Sequence, residues 1–505
     1  MRKRVVCGAA AVAAVCLAPY GRPVRSFAFH HENVLGTSVE IEVSARDAGQ
    51  AAMAESAALG EIDRCAKILS AWDASSEFSR WMRTSGEPVA VSRELFDVLA
   101  LFEHWRAETA GALDPAAEAV TRLWKASAAA GRVPTAEERA ETVALVRQTH
   151  YRLDPAARTA TRFTAVPLAL NSFAKSYIAA RAADAATDAS GGDGVMIDIG
   201  GDIVLRGSVV KAVGIRDPRD NFDNAAPMET VWVRDRAVAT SGDYKRGVEI
   251  AGRRYSHIVD PRTAEAAGAI ISSTVVAPDA STAGALATAF SVMQPEESAR
   301  VAAANPGTEY LLVAADGRRI ASPGWGSLRA QTGPAPSPLA AYAQAAPGEA
   351  WNTAFELAIQ FELARIDDRR YRRPYVAVWI EDKDRFPVRT LALWYEKPRW
   401  LPDLKSWSHS DRLRSLAEGN DITGTVSSAT RPPGKYSLKW DGKDNAGKLV
   451  KSGRYTVLIE AAREHGTYQV MRSEMDFAGT PKQVTLAPNP EVASAVLDYR
   501  KTNGR

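Results

Sequence analysis

Residues 238–263 read VATSGDYKRGVEIAGRRYSHIVDPRT, and the placement of the rest of the chain follows from how this stretch is read. Ala239 to Tyr244 has the character of a strand end entering the Ser241-Gly242-Asp243 turn. Tyr255 to Val259 is a second short strand closed by Asp260-Pro261. Lys245 and Arg246 lie between them. Side chains at strand-to-turn junctions face a common cleft, so this segment is expected to aim a hydroxyl, the Asp243 carboxylate, the His257 imidazole and the Arg262 guanidinium at one phosphorylated ligand. The competing reading is a polar hairpin in which His257 is only hydrogen-bonded.

Outward from this stretch, strands and helices mix without a regular βαβ period, which predicts an α+β fold. Val195 to Leu205, VMIDIGGDIVL, is an apolar strand interrupted by Gly200-Gly201, as happens where backbone must approach something closely. Lys211 to Asp220 and Ile271 to Ala277 are further strands, and Thr282 to Met293 is a helix. Leu170 to Ala183 is a helix beginning near Asn171 and Ser172, with Lys175 in its first turn. A cation there opposes the helix dipole, so Lys175 either meets a bound phosphate or is simply solvated.

Earlier still, Ser26 to Val43 suggests a strand pair around Leu35-Gly36-Thr37. Asp47 and Gln50 form a capping box for a helix whose apolar face is Ala58, Ile62, Cys65, Leu69 and Trp72. Trp72 sits where that helix gives way to a loop. A second helix follows Ser92, with Leu95, Leu99, Phe102 and Trp105 inward. Gly111 to Pro115, GALDP, is a break, and the polar, Ala-rich Lys125 to Gln148 is a surface insertion.

A chain of 505 residues predicts two or three domains, and 46% hydrophobic with 24% charged residues is an ordinary globular composition. A net charge of +3 with no basic run argues against a nucleic-acid partner. Arg2, Lys3 and Arg4 precede an apolar run from Val5 to Ala18 that is too short to span a bilayer, the pattern of a signal peptide over residues 1–25. Cys16 raises a lipid anchor as the alternative. Removal of the signal leaves Cys65 alone, which excludes an intramolecular disulfide and a Cys-based metal site. Gln331 to Glu349 holds six Ala and four Pro and marks a linker, taken as residues 329–349. Beyond it, Tyr375 to Ile380, Thr390 to Tyr395, Tyr436 to Trp440 and Tyr455 to Glu460 predict an immunoglobulin-like β-sandwich over residues 350–505.

Taken in order, Leu35-Gly36-Thr37, GALDP at 111–115, Leu170 to Ser176, Ile197 to Ile203, Gly214 to Pro218, Ala239 to Arg246, Tyr255 to Thr263 and Ala283 to Phe290 resemble the ApbE family of FAD:protein FMN transferases. The similarity covers roughly residues 27 to 325, within a domain taken as 26–328. It implies an exported enzyme that splits FAD at its pyrophosphate with Mg²⁺. FMN is then attached through a phosphoester to a Thr of a partner flavoprotein, with release of AMP. The implied place is the periplasm or the periplasmic face of the inner membrane, with a membrane-associated redox protein among the implied partners.

Phosphoryl transfer is mostly positioning and charge neutralisation, with a group to take a proton from the attacking hydroxyl. Carried over residue by residue, the resemblance makes His257 the base, helped by Asp243. Leu35, Trp72, Ala112, Leu113, Asp114, Lys175 and Ile258 become contacts to FAD, and Ser172, Ala287 and Thr288 hold the metal. The chain departs from the family pattern where Gly284 replaces a metal-binding Asp four residues before Thr288. Ala169 and Ser176 also stand where an Asp and a Gly are frequent. Loss of the carboxylate makes a flavin-binding protein without transfer activity the second reading. A third places the function in the C-terminal domain alone.

That domain resembles an uncharacterised family found with such transferases. Trp440 to Asp444 with Gly453-Arg454-Tyr455 also resembles the sandwich repeat of flagellar hook-capping proteins, with Trp440 and Tyr455 as core or turn residues. Asp421 to Thr430, DITGTVSSAT, is similar to the acceptor motif, which would make Thr430 an internal FMN acceptor. The alternative is a Ser/Thr-rich turn.

Overall fold

Alternate residues of the strand Thr37–Ala45, namely Val39, Ile41, Val43 and Ala45, are fully buried, as period-two patterning requires of a strand with one face on a core. This strand belongs to an eight-stranded sheet. Its order is Arg25–Val34, Thr37–Ala45, Gly194–Ile199, Asp202–Gly207, Ala237–Gly242, Ile270–Ala277, Glu309–Ala314 and Arg319–Ala321, with every neighbouring pair antiparallel. The computed structural model describes residues 24–191, 193–220, 222–242, 247–329, 350–367, 371–395, 398–418, 422, 427–464 and 466–502. Asp243, Lys245, Arg246, the segment 1–23 and the linker residues 330–349 lie outside them.

The helices Ala48–Leu69, Ala174–Ser190 and Ala280–Phe290 cover one face of the sheet. The other face carries a second apolar cluster around Leu205, Val238, Val276 and Trp325. Because the sheet is antiparallel throughout, the Leu35-Gly36 turn, the Gly200-Gly201 turn, the end of Ala237–Gly242 and the start of Ile270–Ala277 share one end. The Ala174–Ser190 helix leads into the strand Gly194–Ile199, and Ala280–Phe290 follows Ile270–Ala277. The N-terminus of the first and the C-terminus of the second therefore return to that same end.

Several expectations are corrected in detail. Asp47 caps the first helix by accepting from Gln50 N, and Ala58, Ile62, Cys65 and Leu69 are buried as expected. Trp72, however, lies beyond the helix and is 91% exposed. The surface insertion 125–148 is helical: the helices Ala117–Ala129 and Ala136–Val146 run through it, the second with a Thr135/Glu138 capping box. The segment 238–263 is not one hairpin. Gly247–Ile250 pairs with Arg253–Ser256, and Val259–Asp260 with Glu265–Ala266, leaving Ala237–Gly242 in the main sheet.

The C-terminal domain is the expected sandwich, of four and five strands. Its core packs the Trp351, Trp440, Phe477 and Tyr499 rings, with Trp351 and Trp440 tilted at 4.7 Å and Trp351–Tyr499, Trp440–Phe477 and Phe477–Tyr499 edge to face at 5.0–5.6 Å. The sequence reading missed the helix Lys405–Glu418, whose first N–H groups, Ser406 N and Trp407 N, donate to the buried Glu460 carboxylate at 2.9 and 2.7 Å. The sandwich is fastened to the first domain along the edge strand Gly434–Trp440. Asp223 N donates to Ser437 O at 2.6 Å, Lys439 N to Asn224 Oδ1 at 2.8 Å, and Arg431 pairs with Asp223 at 3.1 Å. A loop of the first domain thus covers a sheet edge that would otherwise be open to pairing with another chain. Thr430 is only 4% exposed, which withholds its hydroxyl from any active site and removes the internal-acceptor reading.

Gly442 follows Trp440 in a turn at φ +73°, and a Cβ there would lie 2.1 Å from the Trp351 ring. Gly442→Ala combines left-handed strain with overpacking. It is expected to destabilise the sandwich by about 2 kcal/mol, read as a fall in its unfolding midpoint in denaturant.

Candidate functional site

The end of the sheet described above gathers oxygen donors from three elements. Thr288, near the C-terminus of its helix, donates from Oγ1 to Ser172 O at 3.1 Å. The Ser241 hydroxyl, at the end of its strand, lies 3.3 Å from the same Oγ1. Ser172 and Thr288 are thus brought together, and Ser241, from the turn expected to aim a hydroxyl at the ligand, joins them. Ala287 is buried, and its carbonyl accepts from Ser291 Oγ at 3.0 Å. Lys175 lies in the first turn of the Ala174–Ser190 helix, half-buried, and Phe173 at the N-cap offers no side-chain bond to the free N–H groups. A cation beside unsatisfied donors is an anion-binding arrangement.

The Gly200-Gly201 turn packs against the first hairpin. Gly200 has φ +62°, and a Cβ there would lie 2.7 Å from Thr37 Oγ1, so only glycine lets this turn sit beside Leu35, itself at φ 51°. Asp198 and Asp202 flank the turn, a carboxylate pair that the sequence reading did not single out. Burial pushes the Asp202 carboxyl up to about 6, against the pull of Lys175 and the Ser176 hydroxyl. Burial raises Asp198 as well, against its bond from Gly201 N and the pull of Lys175.

Across the strands, His30, Glu40 and Asp198 stand in one row. Burial, then Asp198 and Glu42, push Glu40 up to about 7 despite Lys211, while burial lowers His30 to about 4. A raised carboxyl keeps its proton longer in the folded state. Its stabilising effect is therefore full below the ordinary value of 4.5 and lost as pH rises through 7. Glu40→Gln removes this titration. The variant is expected to gain thermal stability over the parent as pH is raised from about 5 to about 8, and an unchanged difference across that range would contradict the assignment.

His257 lies on the exposed segment between Arg253–Ser256 and Val259–Asp260, whose chain leads into the strand Ile270–Ala277. Its loop is rigid on the far side: Ile258 N donates to Ser256 Oγ at 3.0 Å, and Ala267 N to Ile258 O at 2.8 Å. The Asp260-Pro261-Arg262 turn has a structural role in place of the expected ligand-facing one. Arg262 pairs with Asp260 at 2.8 Å and Glu297 at 3.3 Å, and donates to Val292 O at 3.1 Å. Its Cγ lies 3.7 Å from where a Gly111 Cβ would be, which seats GALDP beside the His257 loop. Ala112, Leu113 and Asp114 are buried. The Asp114 carboxylate is held by Arg106 Nε at 2.6 Å and Ala116 N at 2.7 Å, so its charge is already paired within the turn. Trp72, by contrast, presents a bare ring.

Mg²⁺ favours hard, charged oxygens and usually takes one or two carboxylates. Here the convergent donors are uncharged, and among the described residues no three His, Cys, Asp or Glu side chains are grouped so as to hold a metal ion. Position 284, one turn before Thr288, has no space for a side chain: a Cβ there would lie 2.2 Å from Ser176 Oγ and 3.1 Å from Phe173 Cβ. Asp279 is no substitute, since it caps the opposite end of the same helix through Thr282 N. The described residues therefore do not fit a resident divalent cation.

Residues 35–312 match the model of the ApbE family, and residues 356–494 match a family described as "Predicted periplasmic protein". The FAD:protein FMN transferase of Treponema pallidum is 32% identical over 314 residues, 58% of this chain and 86% of the relative. That of Vibrio cholerae serotype O1 is 32% identical over 269 residues, 51% and 79%. The crystal structure of the ApbE protein from Thermotoga maritima aligns with TM-score 0.54 at 27% identity over 60% of this chain and 99% of that one. The flavin transferase ApbE from Vibrio cholerae aligns at 0.50 and 25%, over 61% and 100%.

Proposed function

The chain belongs to the ApbE family, and from that membership we propose that residues 26–328 form an FAD:protein FMN transferase. The observation that carries the site assignment is the meeting of Ser172 O, Thr288 Oγ1 and Ser241 Oγ beside the uncapped, Lys175-bearing helix N-terminus. An FAD pyrophosphate placed there is met by Lys175 and by backbone N–H groups. Leu35, Trp72, the turn Ala112 to Asp114 and Ile258 are the residues assigned to the flavin and adenosine.

In the transfer, the hydroxyl oxygen of an acceptor Thr attacks the FMN-side phosphorus. The bond from that phosphorus to the bridging oxygen breaks, and AMP leaves carrying that oxygen. The Thr proton passes to the exposed His257 imidazole, with Asp243 as its helper. Lys175 and the helix N-terminus hold the charge that gathers on the departing phosphate.

Residues 2–18 have the pattern of an export signal, and the C-terminal family is described as periplasmic, which supports a periplasmic enzyme acting on a partner flavoprotein, soluble or at the membrane face. No helix among the described residues is long and apolar enough to cross a membrane. A second reading, FAD binding without transfer, is favoured by the uncharged donor set and by Ala169. Incubating the full chain with FAD and a Thr-bearing acceptor domain separates the two: AMP and flavin that survives denaturation support transfer, whereas bound FAD with neither product supports the second reading.

A further inference from the structure

The helices Ala174–Ser190 and Ala280–Phe290 cross at Ser176 and Gly284. A Cβ at 284 would stand 2.2 Å from Ser176 Oγ and 2.9 Å from Ser176 Cβ, a separation that real side chains do not reach. Ser176 is buried, and its hydroxyl makes no hydrogen bond of good geometry. Its side chain therefore fills, from the opposite helix, the volume that a residue at 284 needs. The two positions are steric complements: one can carry a side chain only while the other does not.

We propose that Ser176 and Gly284 form a reciprocal pair that closes the space between these helices to a divalent cation, so that this chain binds FAD without one. The inference rests on the flavin-transferase reading only for the choice of ligand. Position 284 lies one helical turn before Thr288 and on the same face, so a carboxylate there would join Thr288 Oγ1, Ser172 O and Ser241 Oγ as the charged member of an oxygen shell. The chain has neither that carboxylate nor room for it. The positive charge at this end of the sheet is instead covalently fixed, as the Lys175 ammonium, with the Asp198 and Asp202 carboxylates close enough to feel it. A second consequence is that Gly284→Asp alone cannot restore a cation site, because the new side chain meets Ser176 before it can turn toward Thr288.

The test uses Mn²⁺ as the probe, read by electron paramagnetic resonance, and FAD affinity by fluorescence quenching, both on the full chain. The parent is expected to bind no Mn²⁺ at ~100 µM, and its FAD affinity with Mg²⁺ is expected to stay within about twofold of that with a chelator. The double variant S176G/G284D is expected to bind one Mn²⁺ per chain and to tighten on FAD at least ~10-fold when metal is added. Gly284→Asp alone is expected to show neither gain. Stoichiometric Mn²⁺ on the parent, released by Thr288→Ala, would overturn the proposal, and that result does not depend on any variant of the helix crossing folding. Absence of FAD binding under every condition would instead sink the flavin-transferase reading.

Discussion

His257→Ala is expected to lower the rate of covalent flavin transfer by ~10²–10⁴-fold while leaving the FAD dissociation constant within a few-fold of the parent. The imidazole stands on an exposed segment whose backbone is tied down just after it, where Ile258 N donates to Ser256 Oγ and Ala267 N to Ile258 O. Truncation therefore removes the proton acceptor without releasing the loop. A base contributes only as the attacking hydroxyl loses its proton, so the loss belongs in the chemical step. Single-turnover measurement of AMP release at saturating FAD isolates that step. A large rise in the FAD dissociation constant with an unchanged single-turnover rate would reassign His257 to ligand binding.

Lys175→Met is expected to have the converse signature, with FAD affinity falling ~30–100-fold, the worth of a charge-assisted hydrogen bond to phosphate. Methionine keeps the length and helix propensity of the stem, so fold stability is expected to hold while the affinity drops. In a helix whose N-terminus already favours anions, a lysine in the first turn needs negative charge nearby, which Asp198 and Asp202 supply within the protein and a bound phosphate would add to. FAD titration separates these cases: a Lys175 that is solvated or only balances Asp198 and Asp202 would leave FAD affinity unchanged, whereas an anion-binding one gives the ~30–100-fold loss.

The parts of the fold that could be read in the sequence were those governed by local periodicity. The Asp47 cap and the Ala58, Ile62, Cys65, Leu69 stripe needed only helical spacing, whereas Gly200-Gly201, expected as a break within one strand, is the turn between two antiparallel strands, Gly194–Ile199 and Asp202–Gly207. The helix Lys405–Glu418 was missed because its buried positions are Trp407, Ser410 and Arg414, two of them polar, with the buried carboxylate that caps it arriving from a distant strand. Arg262 looked like a ligand group because its partners, Glu297 and the Val292 carbonyl, lie 35 and 30 residues away along the chain.

At the site, the meeting of Ser172 with Thr288 follows from the resemblance and the Ser241 hydroxyl from the turn it begins, but the Ser176–Gly284 crossing follows from neither. The departures at 176 and 284 were visible as two separate oddities in the sequence. That they exclude each other is a fact of helix packing, which residue identity alone does not contain. The same geometry means that an aspartate placed at 284 does not by itself rebuild a metal site.

The most direct measurement uses two FAD preparations, one labelled in the FMN-side phosphate and one in the AMP-side phosphate, each incubated with the full chain and a Thr-bearing acceptor domain. The account predicts that the FMN-side label stays on the acceptor after denaturation and that the AMP-side label is released as AMP in equal amount. Retention of both labels in bound FAD, or release of free FMN and AMP with none on the acceptor, would contradict it.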